Sequence, residues 1–131
     1  DASVQLIKDS IKVIFPNNIL FATNSFEVLE GFNDKLVRFA GLLNKYEKTK
    51  LLITGHTDNV GDSSLNLSLS LNRAGAIKKN LLTNKVNEIR LFTWGLGDKN
   101  PIEPNDSETN RALNRRVEFI VLYNEEQDDE K

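Results

Sequence analysis

Between Val28 and Lys48, Leu29, Phe32, Leu36, Phe39, Ala40, Leu43 and Tyr46 recur at spacings of three and four, which places them on one face of a helix. A helix with such a stripe must bury it against another layer. The chain supplies short segments of strand type to do so. Val4 to Phe15 alternates and stops at the turn Pro16-Asn17-Asn18, and Asp9-Ser10 within it leaves a hairpin open beside a single strand. Leu51 to Thr54, Ile89 to Trp94 and Arg116 to Tyr123 are the others. Ser25 is the expected N-cap of the first helix. Leu65, Leu67, Leu69 and Leu71 alternate at period two, the pattern of a strand, yet Leu69, Arg73, Ala74, Ile77 and Leu81 fit helical spacing. Ser64 to Asn84 is therefore read as a second helix, and Glu108 to Asn114 as a short third. The order β-α-β-α-β-(α)-β predicts an α+β fold, a single mixed sheet of about four strands with two main helices packed on it.

The 131 residues suit one domain. Residues 1–124 are expected to form it, with 1–10 as an N-terminal extension and 125–131 as an acidic, solvated tail. That tail holds five acids and one base, so the 19 acids and 17 bases of the chain reduce to 14 and 16. A remainder of about +2 does not describe a basic nucleic-acid binder. With no cysteine and one histidine, disulfide frameworks, thiolate chemistry and multi-histidine metal sites are excluded. No apolar run approaches the roughly 20 residues that span a bilayer as a helix. The chain begins at Asp1 with no methionine and is expected to be a mature product or a piece of something longer.

Little points to catalysis. His56 ends a strand beside Thr54 and Thr57, where a structural hydrogen-bonding role outweighs that of a base. Asp58 to Asp62 lacks the alternating ligands and closing glutamate of a calcium loop. Gly95-Leu96-Gly97 lacks the third glycine of a phosphate loop and is followed by Asp98, poorly placed for an anion, and Trp94 and Phe92 are expected in an apolar strand setting. More specific is the relation of Asp58 and Arg73. Asp58 follows a strand and leads into the second helix, and Arg73 lies on that helix's apolar stripe, where an unpaired charge is costly. Either the two form a structural ion pair, or each faces a zwitterionic ligand, Asp58 its ammonium and Arg73 its carboxylate.

Five blocks then occur in order. They are Leu20-Phe21-Ala22-Thr23-Asn24-Ser25, Gly55-His56-Thr57-Asp58-Asn59-Val60-Gly61, Asn66-Leu67-Ser68-Leu69-Ser70-Leu71-Asn72-Arg73-Ala74, Gly95-Leu96-Gly97-Asp98-Lys99-Asn100-Pro101-Ile102 and Asn110-Arg111-Ala112-Leu113-Asn114-Arg115-Arg116-Val117-Glu118. From about Ile11 to Tyr123 the chain resembles the OmpA-like C-terminal domain, the peptidoglycan-binding module also found in Pal lipoproteins and the stator protein MotB.

The resemblance implies non-covalent binding of peptidoglycan through the meso-diaminopimelate of its stem peptide, with no cofactor, no metal and no enzymatic activity. It places Asp58 and Arg73 on the amino and carboxylate groups of the ligand's free end. It adds Thr23 and Asn24 from the loop after the first core strand, Asn66 and Leu69 from the helix, the loop backbone at Val60, and Arg115 as a second basic contact. It implies a location in the periplasm, attached to the outer membrane of a Gram-negative-type envelope, through a membrane tether upstream of Asp1. The module would serve as an anchor, or as the wall-binding part of a stator or efflux-type machine. Three positions depart from the family pattern. Ala22 stands where many relatives carry an acid. Leu67 and Leu71 replace polar residues on the outward side of the helix, marking a dimer or domain contact or simply scattered exposed leucines. Gly75 replaces a helix former. From a different class, an α/β protein- or RNA-interaction module would need a basic face with exposed strand aromatics.

Overall fold

The computed structural model describes residues 3–7 and 10–123, with side chains for 10–123. The acidic tail, 125–131, lies outside the described residues. Strands β1 (Ser3–Ile7), β2 (Ser10–Pro16), β3 (Thr49–His56), β4 (Leu91–Gly97) and β5 (Arg116–Tyr123) form one mixed sheet in the order β1-β2-β5-β3-β4. β5 runs antiparallel to β2 and β3, and β3 is parallel to β4. The four strands expected from the pattern are present. The hairpin alternative holds at the amino end, where β1 pairs antiparallel with β2 and adds a fifth strand at the edge.

The helices are α1 (Asn17–Leu20), α2 (Glu30–Lys45), α3 (Ser63–Thr83) and α4 (Glu108–Asn114). In α2, Phe32, Leu36, Ala40 and Leu43 are buried, as the stripe requires. Leu29 and Tyr46 are exposed and flank the helix as its caps rather than sharing its buried face. Ser25 is not the N-cap. An isolated bridge between Phe21 and Val28, and a hydrogen bond from Leu29 N to Leu20 O at 2.7 Å, keep the chain extended up to Leu29. Ser25 instead closes a turn, its Oγ accepting from Glu27 N at 3.0 Å. α2 packs on the sheet through phenylalanines: Phe15 meets Phe32 and Phe119 edge-on at 5.3 and 4.9 Å, and Phe39 lies 5.2 Å from Phe119.

α3 is held differently. Asp62 caps it by accepting from Ser64 N and Leu65 N. Its middle lies directly on the backbone of β3 and β4. A Cβ at Gly55 would collide with the carbonyl of Ser70, and one at Gly95 would come within 2.5–2.6 Å of the Leu71 backbone. Ser70, fully buried, accepts from Gly97 N at 2.9 Å and donates to Leu67 O at 2.8 Å. The period-two leucines fall on a helix as expected: Leu65, Leu67 and Leu71 are exposed, and Leu69 is half-buried.

Phe92 and Trp94 correct the apolar-strand expectation. They are 46% and 59% exposed, on the sheet face turned away from α2 and α3. That face offers exposed aromatics, and the case against nucleic acid therefore rests on charge, not on their burial. Across the rest of this face Arg116 donates to Glu118 at 2.7 Å and to the carbonyls of Asn114 and Asn100.

Glycine separates the two kinds of packing. Gly55→Ala and Gly95→Ala force a methyl into backbone and should each destabilise the domain by about 2 kcal/mol or more in urea unfolding. Gly75 faces open space within α3, so Gly75→Ala should stabilise it by about 0.5–1 kcal/mol.

Candidate functional site

β3 ends at His56 with a register shift between Gly55 and His56, and the chain then turns over the end of the sheet. Thr57 N donates to Gly97 O at 2.9 Å, and Thr57 Oγ1 donates to Asp58 O at 2.8 Å. Asn66, in the first turns of α3, clamps the loop from the other side by donating to Val60 O at 2.9 Å and Asp58 O at 3.4 Å. The close seat of α3 on the glycines thus sets where Asp58 stands relative to the helix.

A groove of about 400 Å³ opens beside this turn. Thr23, Asn24, Asp58, Val60, Asn66, Leu69, Arg73 and Arg115 all line it, so the structure brings every candidate site residue to one place. Asn17, Asn18, Phe21, Ala22 and Thr57 complete the lining. Asn17 and Asn18 carried no signal beyond a turn after Pro16, because the groove forms only when α1 meets the end of β5. There Asn17 N donates to Arg115 O at 3.0 Å. Asn17 Nδ2 donates to His56 O at 3.3 Å, and its buried Oδ1 has no partner among the described residues.

Asp58 and Arg73 do not pair with each other. Asp58 Oδ1 accepts from Val60 N at 3.0 Å, and Oδ2 accepts from Arg115 Nη1 at 2.6 Å. Arg115 also donates to Glu108 Oε2 at 2.6 Å, and these partners, Glu108 foremost, raise its pKa. The same contact holds the Glu108 carboxyl below its ordinary value. The structural ion pair is therefore Asp58–Arg115, bridging 57 residues, in place of the Asp58–Arg73 pair. Arg73 is 6% exposed. Its Nε donates to Ser25 O at 2.9 Å and its guanidinium lies 5.2 Å from the Phe21 ring centre. No carboxylate stands within 4.0 Å of it among the described residues, and burial lowers its pKa from the ordinary arginine value.

Val60 is largely exposed; its N–H is taken up by Asp58 and its C=O accepts from Asn66 with one lone pair left. The lining holds one carboxylate, two arginines and no histidine. Such a lining has the charges to pair with a small charged group. His56 stands outside it, buried, with Nε2 2.9 Å from Thr54 Oγ1 and 3.9 Å from Glu118. Burial, with Arg116 adding to it, pushes His56 from 6.5 down to about 4.

The chain belongs to the OmpA family, whose model matches residues 20–115. It is 37% identical over 119 residues to "Probable lipoprotein YiaD" of Escherichia coli, covering 91% of this chain and 54% of that protein. It is 31% identical over 115 residues to "Peptidoglycan-binding protein ArfA" of Mycobacterium bovis, covering 88% of this chain and 35% of that one. The chain thus spans about half and about a third of these relatives. Among solved structures, the cell wall anchor of the T6SS from Pseudomonas aeruginosa superposes with a TM-score of 0.84 at 33% identity, covering 94% of this chain and 88% of that one. The mixed α+β architecture is that of this family.

His56 makes stability depend on pH in a stated direction. An unfolded chain takes up its proton near 6.5, the folded one only near 4, so acid favours unfolding between those values. Stability should fall by up to about 3 kcal/mol between pH 7 and pH 4, and His56→Gln should flatten that part of the profile in unfolding titrations.

Proposed function

We propose that this domain binds peptidoglycan non-covalently and anchors a cell-envelope protein to the wall. The ligand is the free end of meso-diaminopimelate in the stem peptide. Its carboxylate meets Arg73, its ammonium meets Asp58, and Arg115 borders the ammonium. Thr23, Asn24, Val60, Asn66 and Leu69 form the walls around its chain. The observation that carries this reading is Arg73, a buried arginine lining an open groove with no carboxylate within 4.0 Å among the described residues. A desolvated guanidinium without an anion is costly, and a ligand carboxylate in a bidentate fork removes that cost.

Membership of the family supports wall binding, as do relatives named a lipoprotein, a peptidoglycan-binding protein and a cell wall anchor. The same relatives support a place in the periplasmic envelope, tethered to the outer membrane by sequence joined to this domain. Among the described residues no helix is long and apolar enough to cross a membrane. Leu67 and Leu71 are 37% and 50% exposed, which keeps them accessible to a neighbouring domain or second copy.

The pairing discriminates between walls. A lysine stem offers the ammonium but no terminal carboxylate, leaving Arg73 without its anion. Losing one charge-assisted contact costs about 1.5–3 kcal/mol, roughly a ten- to hundredfold loss of affinity. Sedimentation with purified sacculi tests this. The protein should pellet with diaminopimelate-type and not lysine-type walls, Asp58→Ala and Arg73→Ala should abolish pelleting while keeping the fold, and no muropeptides should be released. Undiminished pelleting of both variants would refute the site.

A further inference from the structure

Asp58 is not bare in the free protein. Both of its oxygens are engaged, one by Val60 N and the other by Arg115. An ammonium that pairs with Asp58 meets a like charge there and gains most when the Arg115 guanidinium gives way, and that guanidinium must then keep a counter-ion. The counter-ion is already there. Glu108 is the first residue of α4, seven residues before Arg115, and holds Arg115 Nη2 at 2.6 Å.

Its position is built in. Ser107 caps α4 by accepting from Asn110 N at 3.1 Å, and the fully buried Asn114 at the helix end ties the preceding loop through Ile102 N, Glu103 N and Glu103 O. Glu108 itself is exposed and Arg115 about a third exposed, so the pair can shift without disturbing the core.

The geometry points to Glu108 as a positioning residue for ligand capture: it retains Arg115 when Asp58 exchanges that guanidinium for the ligand's ammonium. The inference rests on the wall-binding reading above and adds a residue that reading does not contain. Without Glu108, Arg115 has Asp58 as its remaining acidic partner and competes with the ammonium for it. Capture of the ligand's carboxylate by Arg73, which is not bonded to Asp58, Glu108 or Arg115, does not involve this exchange.

Calorimetric titration of the whole domain tests it. The probes are the tripeptide L-Ala-γ-D-Glu-meso-diaminopimelate and the same tripeptide acetylated on its terminal ammonium. Glu108→Gln should weaken the free tripeptide about three- to fivefold and leave the acetylated one unchanged. In an Arg115→Ala background the same substitution should have no effect, since no guanidinium remains to be held. Equal affinity of Glu108→Gln and the parent for the free tripeptide, or an undiminished effect without Arg115, overturns the proposal. An equal loss for both tripeptides does so as well. If acetylation abolishes binding outright, the Arg115→Ala arm decides. Failure of the parent domain to bind the free tripeptide at all overturns the wall-binding reading, and this proposal with it.

Discussion

Helix α3 rests on the backbone of β3 and β4 with glycine in place of side chains, and the groove depends on that contact. Gly55 and Gly95 admit the Ser70 and Leu71 backbone, and Ser70 Oγ locks the approach by accepting from Gly97 N of β4. A layer of ordinary side chains would set a helix about 10 Å from the sheet. Removing them brings the first turns of α3 against the loop that follows β3, so that Asn66 can clamp it and Asp58 and Arg73 can line one cavity. On the other half of the sheet, where no such approach is needed, α2 packs through phenylalanines.

The two charges in the groove are held in different states. Asp58 is already matched by Arg115 and a backbone N–H, whereas Arg73 has only a carbonyl and an aromatic ring. An arginine buried on these terms has its desolvation only partly offset by the Ser25 carbonyl and the Phe21 ring, and an arriving anion would offset the rest. On the proposed reading, the ligand's carboxylate should supply more of the binding free energy than its ammonium, which meets Arg115 at Asp58.

Much of this was legible in the sequence. The amphipathic stripe placed α2, and the helical spacing of Leu69, Arg73, Ala74, Ile77 and Leu81 placed α3 against the strand pattern of its leucines. All eight candidate residues line one groove, because four of the five motif blocks carry them on turns and a helix face at the same end of the sheet. What was missed lies in long-range pairing. Nothing local distinguishes Arg115 from Arg73 as the partner of Asp58, which lies 57 residues from Arg115. Asn17 and Asn18 read as a turn because their role depends on β5 closing beside them. Ser25 had the chemistry of a cap, but a bridge between Phe21 and Val28 outcompeted it. Gly95-Leu96-Gly97 was rejected as a phosphate loop, but nothing local showed that Gly95 and Gly97 lie against the backbone of α3. Phe92 and Trp94 were assigned an apolar setting, yet a strand covered by helices on one face turns every second residue away from them.

The most direct test is a crystal structure of the domain with meso-diaminopimelate bound. The ligand's terminal carboxylate should lie within about 3 Å of two Arg73 nitrogens, with its ammonium at hydrogen-bonding distance from Asp58. A ligand seated elsewhere, or one whose carboxylate leaves Arg73 bonded only to the Ser25 carbonyl, would contradict the account.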